Sequence, residues 1–78
     1  MNGWVYVKGP DGTAVYVNGN YESSPGTANA WFAVEFGPNR FEAIDADQRP
    51  ILRAEATVTR EQPQAEVELQ AVSPEEEE

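Results

Sequence analysis

Apolar and polar side chains alternate with a period of two along most of this chain, and short clusters of Gly, Pro, Asn and Asp separate the alternating stretches. Residues 51–59 show the pattern most clearly. Leu52, Ala54, Ala56 and Val58 fall on one side of an extended backbone, and Arg53, Glu55, Thr57 and Thr59 on the other. The segment is rich in helix formers, but a helix would scatter those four apolar groups around its circumference, so a strand is expected. Residues 65–72 repeat the alternation, with Val67, Leu69 and Ala71 inward and Glu66, Glu68 and Gln70 outward. In residues 30–36, Phe32, Val34 and Phe36 share one face, while Trp31, Ala33 and Glu35 share the other.

The N-terminal part is patterned in the same way. Residues 4–8, Trp-Val-Tyr-Val-Lys, suit a first strand because they are β-branched or aromatic almost throughout. A Gly-Pro-Asp-Gly turn at 9–12 passes the chain to a second short strand, Ala14 to Val17, which stops at Asn18 and Gly19, two residues that accept positive φ cheaply. These two strands are expected to form a hairpin or to be neighbours. Residues 21–29 are rich in Ser, Pro, Gly and Asn and read as a loop with a turn at Pro25-Gly26 and at most a short edge strand. Gly37-Pro38-Asn39 has hairpin length, so residues 40–45 should return as a strand with Phe41 and Ala43 on one side and Ile44 on the other. Residues 45–50 form a polar loop, and Glu61-Gln62-Pro63-Gln64 a turn. Together these signals predict an all-β fold: a small antiparallel β-sandwich of about six to seven strands, one domain over residues 3–72. Phe32, Val34, Phe36, Leu52, Val58, Val67 and Leu69 are its expected core. Residues 73–78, ending in four glutamates, have nothing to bury and are read as a disordered acidic tail or linker.

Composition narrows the chemistry. A chain of 78 residues is one domain at most, and a domain of this size hides only roughly 60% of its unfolded surface. It has no cysteine and no histidine, which excludes disulfides, thiolate or imidazole zinc sites and Ser-His-Asp triads. The formal charge is −9. Lys8, Arg40, Arg49, Arg53 and Arg60 are scattered rather than clustered, so nucleic acid and anionic membrane are poor partners. No apolar run reaches membrane-spanning length and the first residues lack a signal-peptide pattern, so any export signal is expected outside this sequence. A monomer without a cofactor is expected.

The order of signals is similar to PEGA domains. The resemblance rests on Pro-Asp-Gly-Thr-Ala-Val-Tyr-Val-Asn-Gly, Pro10 to Gly19, followed by Ser-Ser-Pro at 23–25, then two strands around a glycine turn, then two more. It departs from the family pattern in the inserted Thr13, in Asp11 where glutamate is usual, and in the missing glycine before Pro25. The resemblance covers most of residues 3–72. It implies a prealbumin-like or immunoglobulin-like sandwich serving as a non-catalytic accessory module in bacterial or archaeal cell-surface or envelope proteins, extracytoplasmic, with other domains of its parent chain or envelope proteins as partners.

Three aromatic residues are candidate binding groups: Trp31, Tyr21 and Trp4. Alternation places Trp31 opposite Phe32 and Val34, where it could stack on a sugar ring or anchor a protein partner. The competing reading, preferred because large aromatics are seldom left bare, folds the loop at 21–29 over Trp31 as a satellite of the core. Asp45, Asp47 and Gln48 supply oxygens, but without the glycine and distal glutamate of an EF-hand loop they read as a solvated turn, and no metal site is expected. Glu66 and Glu68 share an outward face without the cleft that glycosidase chemistry needs, so they read as solubilising charges. The expectation is therefore a non-enzymatic spacer or protein-interaction unit. The alternative is a carbohydrate-binding module that uses Trp31, Tyr21 and Trp4 on a polysaccharide; a hydrolase or metalloenzyme fragment is the least favoured.

Overall fold

A computed structural model of the chain describes residues 2–23, 25–47 and 49–72; the acidic run at 75–78 and Gln48 lie outside the described residues. The fold is all-β. Its strands are β1 (Asn2–Lys8), β2 (Tyr16–Val17), β3 (Asn20–Tyr21), β4 (Ala30–Glu35), β5 (Gly37–Ile44), β6 (Pro50–Val58), β7 (Gln64–Glu68) and β8 (Gln70–Ala71). They form two sheets, one of three strands in the order β4-β1-β7 and one of five in the order β3-β2-β5-β6-β8. The two sheets are the layers of a small sandwich.

Between the layers lie Val5, Val7, Phe32 and Val34 from the three-stranded sheet and Val15, Val17, Phe41 and Val58 from the opposite side, all buried. Phe32 and Phe41 meet edge to face across the core with ring centroids 6.4 Å apart, an arrangement that the ring quadrupole favours. Of the seven expected core residues, Phe32, Val34, Val58 and Leu69 are buried, and Phe36, Leu52 and Val67 are half-buried against them. The period-two argument for residues 51–59 therefore holds: β6 turns Leu52, Ala54, Ala56 and Val58 towards the core.

Adjacency differs from the sequence expectation. β1 and β2 are neither a hairpin nor neighbours; the turn at 9–12, closed by Thr13 N–H donating to Pro10 O at 3.2 Å, carries the chain from one layer to the other. Alternation specifies which side of a strand is buried, and strands facing each other across a core satisfy it as well as strands side by side. The same holds for β4 and β5. Gly37-Pro38-Asn39 is no hairpin loop but the start of β5, and one residue, Phe36, separates it from β4 in the other sheet. Asn39 makes this corner. It is 5% exposed, and its Nδ2 donates to Glu35 O at 2.9 Å and to Gly37 O at 3.1 Å while its Oδ1 accepts from Asn18 Nδ2 at 3.0 Å. The two Nδ2 bonds tie the amide to carbonyls on either side of Phe36, where the chain changes layers. Residues 65–72 likewise divide, at buried Leu69, into β7 and β8 in different sheets.

The Asn18-Gly19 turn does form a hairpin. Both residues have positive φ, 52° and 88°, and they join β2 to β3, the type I′ geometry that suits the right-handed twist of paired strands. One pairing runs parallel: β7 lies beside β1 in register from Trp4↔Gln64 to Lys8↔Glu68. Gly3 admits this neighbour, since a Cβ there would sit 2.6 Å from Pro63 O. Trp4 N–H donates to that same carbonyl at 2.7 Å and starts the pairing.

Candidate functional site

Pairing in the three-stranded sheet brings a set of aromatic side chains onto its outer face. Alternation along β1 buries Gly3, Val5 and Val7 and turns Trp4, Tyr6 and Lys8 outward. On β4 the outward residues are Trp31, Ala33 and Glu35, and on β7 Gln64, Glu66 and Glu68. The register sets Tyr6 directly across from Trp31 on one side and Glu66 on the other, with Trp4 one step along, across from Ala33 and Gln64. Tyr6 and Trp31 touch edge to face, with ring centroids 5.4 Å apart and planes at 67°. Trp4 and Trp31 remain 45% and 46% exposed. Tyr6 is half-buried between them and the β7 carboxylates.

The loop does not close over Trp31, contrary to the preferred sequence reading. Residues 25–29 instead run along the start of the second strand: Val15 N–H donates to Gly26 O at 3.0 Å, Ala28 N–H donates to Thr13 O at 2.9 Å, and Ala14 bridges Thr27. Asn29 fastens the end of this segment, its Nδ2 donating to Gly9 O at 2.9 Å and to Asp11 Oδ1 at 2.7 Å. Backbone pairing thus holds residues 26–28 beside residues 13–15, and Asn29 ties the loop's end to Val7 and the 9–11 turn, leaving Trp31 uncovered.

No family model, curated protein or solved structure matches this chain. Its candidate site therefore stands on geometry and chemistry alone, residue by residue.

Of the three aromatic candidates, Trp4 and Trp31 share the face and Tyr21 does not. Tyr21 is on β3, at the edge of the five-stranded sheet, 51% exposed and packed against Tyr16 with ring centroids 5.6 Å apart. The hairpin that holds it belongs to the opposite layer, which the composition of the loop does not reveal. Tyr6 is the residue that sequence reasoning passed over. The Trp-Val-Tyr-Val-Lys alternation already puts it on the same side as Trp4.

The face is electrostatically uneven. Lys8 Nζ lies 3.0 Å from Glu66 Oε2, and the Glu66 carboxylate, by hydrogen bond and charge, raises the Lys8 ammonium above the ordinary lysine range. Glu68 is directly across from Lys8, and Glu35 sits at the far end of β4. On the opposite sheet Tyr21, Tyr16, Glu42, Arg53 and Gln70 form one row in register across all five strands. There Arg53 Nε is 3.4 Å from Glu42 Oε2 yet has no hydrogen-bond partner, so that contact is coulombic only. Arg40 Nε lies 3.5 Å from Glu55 Oε2.

Asp45 has a structural task. Its Oδ1 accepts from the N–H groups of Asp47 and Arg49, each at 2.9 Å, closing the turn between β5 and β6. Among the described residues no group of three or more carboxylates is placed to hold a metal ion. Two concavities of about 520 Å³ are present, both open to solvent. One lies along Asn18, Arg40, Glu55 and Thr57 on the five-stranded side, and the other lies beside Tyr6, Lys8, Pro10 and Glu68. The second adjoins the aromatic face at its Lys8 end.

Proposed function

We propose that this chain is a non-catalytic interaction module that docks another protein through the outer face of its three-stranded sheet. The observation that carries the reading is the pair of half-exposed indoles, Trp4 and Trp31, held two strands wide around Tyr6 on a rigid sheet. Large aromatics with few rotatable bonds bind at low entropic cost, and they are enriched where proteins meet. The likeness of residues 10–19 to PEGA domains supports the same assignment, and with it a place as accessory or spacer unit of an extracytoplasmic surface or envelope protein. Open concavities and a chain without cysteine or histidine favour binding over catalysis.

Polysaccharide binding through Trp4 and Trp31 is the second reading, favoured by their placement on adjacent strands. The 67° between the Tyr6 and Trp31 planes weighs against it, because Tyr6, which lies beside both indoles on this face, cannot extend a flat platform with Trp31 for a glycan ribbon. A photo-crosslinking side chain placed at position 31, in the cells that make the protein, tests the choice. A protein adduct at 31, with none from the same probe at exposed Thr57 on the opposite sheet, is the expected result. Glycan adducts, or equal labelling at both positions, overturn it.

A further inference from the structure

We infer that the partner presents a basic segment, and that an arginine or lysine of that segment seats on the Trp4–Tyr6–Trp31 surface; this rests on the docking role proposed above. Charge complementarity selects the occupant. Carboxylates border the aromatic rings on both edge strands, Glu35 on β4 and Glu66 and Glu68 on β7. Among the described residues the face carries one cationic side chain, Lys8, already engaged by Glu66. Arg40 and Arg53 are on the opposite sheet, paired there with Glu55 and Glu42. An incoming cation therefore meets ring faces that are negative by their quadrupole and carboxylates that flank them. A guanidinium suits both at once, stacking flat on an indole while its N–H fork reaches a carboxylate.

The same charges exclude other occupants. A second copy of the chain would press one acidic face on another, and nucleic acid or acidic lipid would be repelled. A neutral glycan would leave the carboxylates without a role. The concavity beside Tyr6, Lys8 and Glu68 gives a neighbouring side chain of the segment a place to sit.

The test is a titration of the full chain, followed by the two indole N–H resonances, with a capped glycine peptide containing two arginines. The matched peptide with neutral citrulline for arginine, and cellohexaose, serve as the other probes. The arginine peptide is expected to shift both indoles. Trp31→Ala, and separately the double change Glu66→Gln with Glu68→Gln, should each weaken it roughly fivefold, and added salt should weaken it further. Because these positions are exposed, cooperative thermal melts close to the parent's show that the variants fold. Equal binding by the citrulline peptide overturns the cationic partner and leaves the docking role standing. So do indole shifts unaltered by either variant. A response to cellohexaose alone transfers the face to polysaccharide, and if no probe moves either indole, the docking role falls as well.

Discussion

Replacing Asn39 by alanine removes three hydrogen bonds from the corner where β4 becomes β5: two donated by Nδ2, to Glu35 O and Gly37 O, and one accepted from Asn18 Nδ2. The network extends one step further, since Asn18 Oδ1 accepts from Arg40 N–H at 2.9 Å and Asn18 N–H donates to Arg40 O at 2.8 Å. At about 1 kcal/mol net per bond, Asn39→Ala should cost about 3 kcal/mol, or about 2 if water reaches Glu35 O. A domain of this size has roughly 4–12 kcal/mol of total stability, so the melting temperature should fall by about 10–20 °C. Asn39→Asp sharpens the test. It keeps the shape and the acceptor for Asn18 but turns an oxygen towards the two carbonyls, so burial and lone-pair repulsion raise the new carboxyl's pKa in the folded state above its unfolded value of about 3.9. A group raised in this way supports the fold fully below its unfolded pKa and loses that support as pH rises through the folded one. The penalty of Asn39→Asp relative to the parent should therefore shrink between neutral pH and pH 4. Urea unfolding followed by tryptophan fluorescence at several pH values measures both quantities. A loss below about 1 kcal/mol in Asn39→Ala, or an Asn39→Asp penalty that grows on acidification, refutes the account of the corner.

Two further outcomes follow from the same packing. Gly3→Ala places a methyl group 2.6 Å from Pro63 O and 2.9 Å from a Val58 methyl; separating β7 from β1 to relieve this should cost about 1–3 kcal/mol in urea unfolding, and a neutral substitution would show that the approach of Pro63 is not tight. Lys8 should titrate by NMR above the ordinary lysine range in the parent and return towards it in Glu66→Gln. Its ion pair supports the fold below the ordinary lysine range and is lost as pH rises through the raised folded-state value, so an unchanged titration in Glu66→Gln would contradict the contact.

Burial was legible in the chain and adjacency was not. Leu52, Ala54, Ala56 and Val58 disclose their inner face by spacing alone, and the Asn18-Gly19 pair discloses its hairpin by the φ values it tolerates. Gly37-Pro38-Asn39 misled because a change of layer and a hairpin loop call for the same residue types; only the buried amide of Asn39, bonded back to the preceding strand, separates them. Leu69 hid a second change of layer because it is apolar in phase with its neighbours on both sides. At the candidate site, alternation placed Trp31 opposite Phe32 and Val34, but the preferred reading covered it with the 21–29 loop, and the structure leaves it 46% exposed. That Tyr6 shares a side with Trp4 follows from local alternation, but that Trp31 comes beside them and Tyr21 does not depends on which strands pair with β1, a long-range outcome no local pattern discloses.

The parallel alignment of β1 with β7 has a mechanical consequence. A pull applied between Asn2 and Glu68 drags these two strands in opposite directions along their own length, so the five cross-strand partners from Trp4↔Gln64 to Lys8↔Glu68 resist together instead of parting one after another as in an unzipping hairpin. Trp4 is mounted on that shear-loaded strip, and Trp31 on β4, which pairs antiparallel with the other edge of β1.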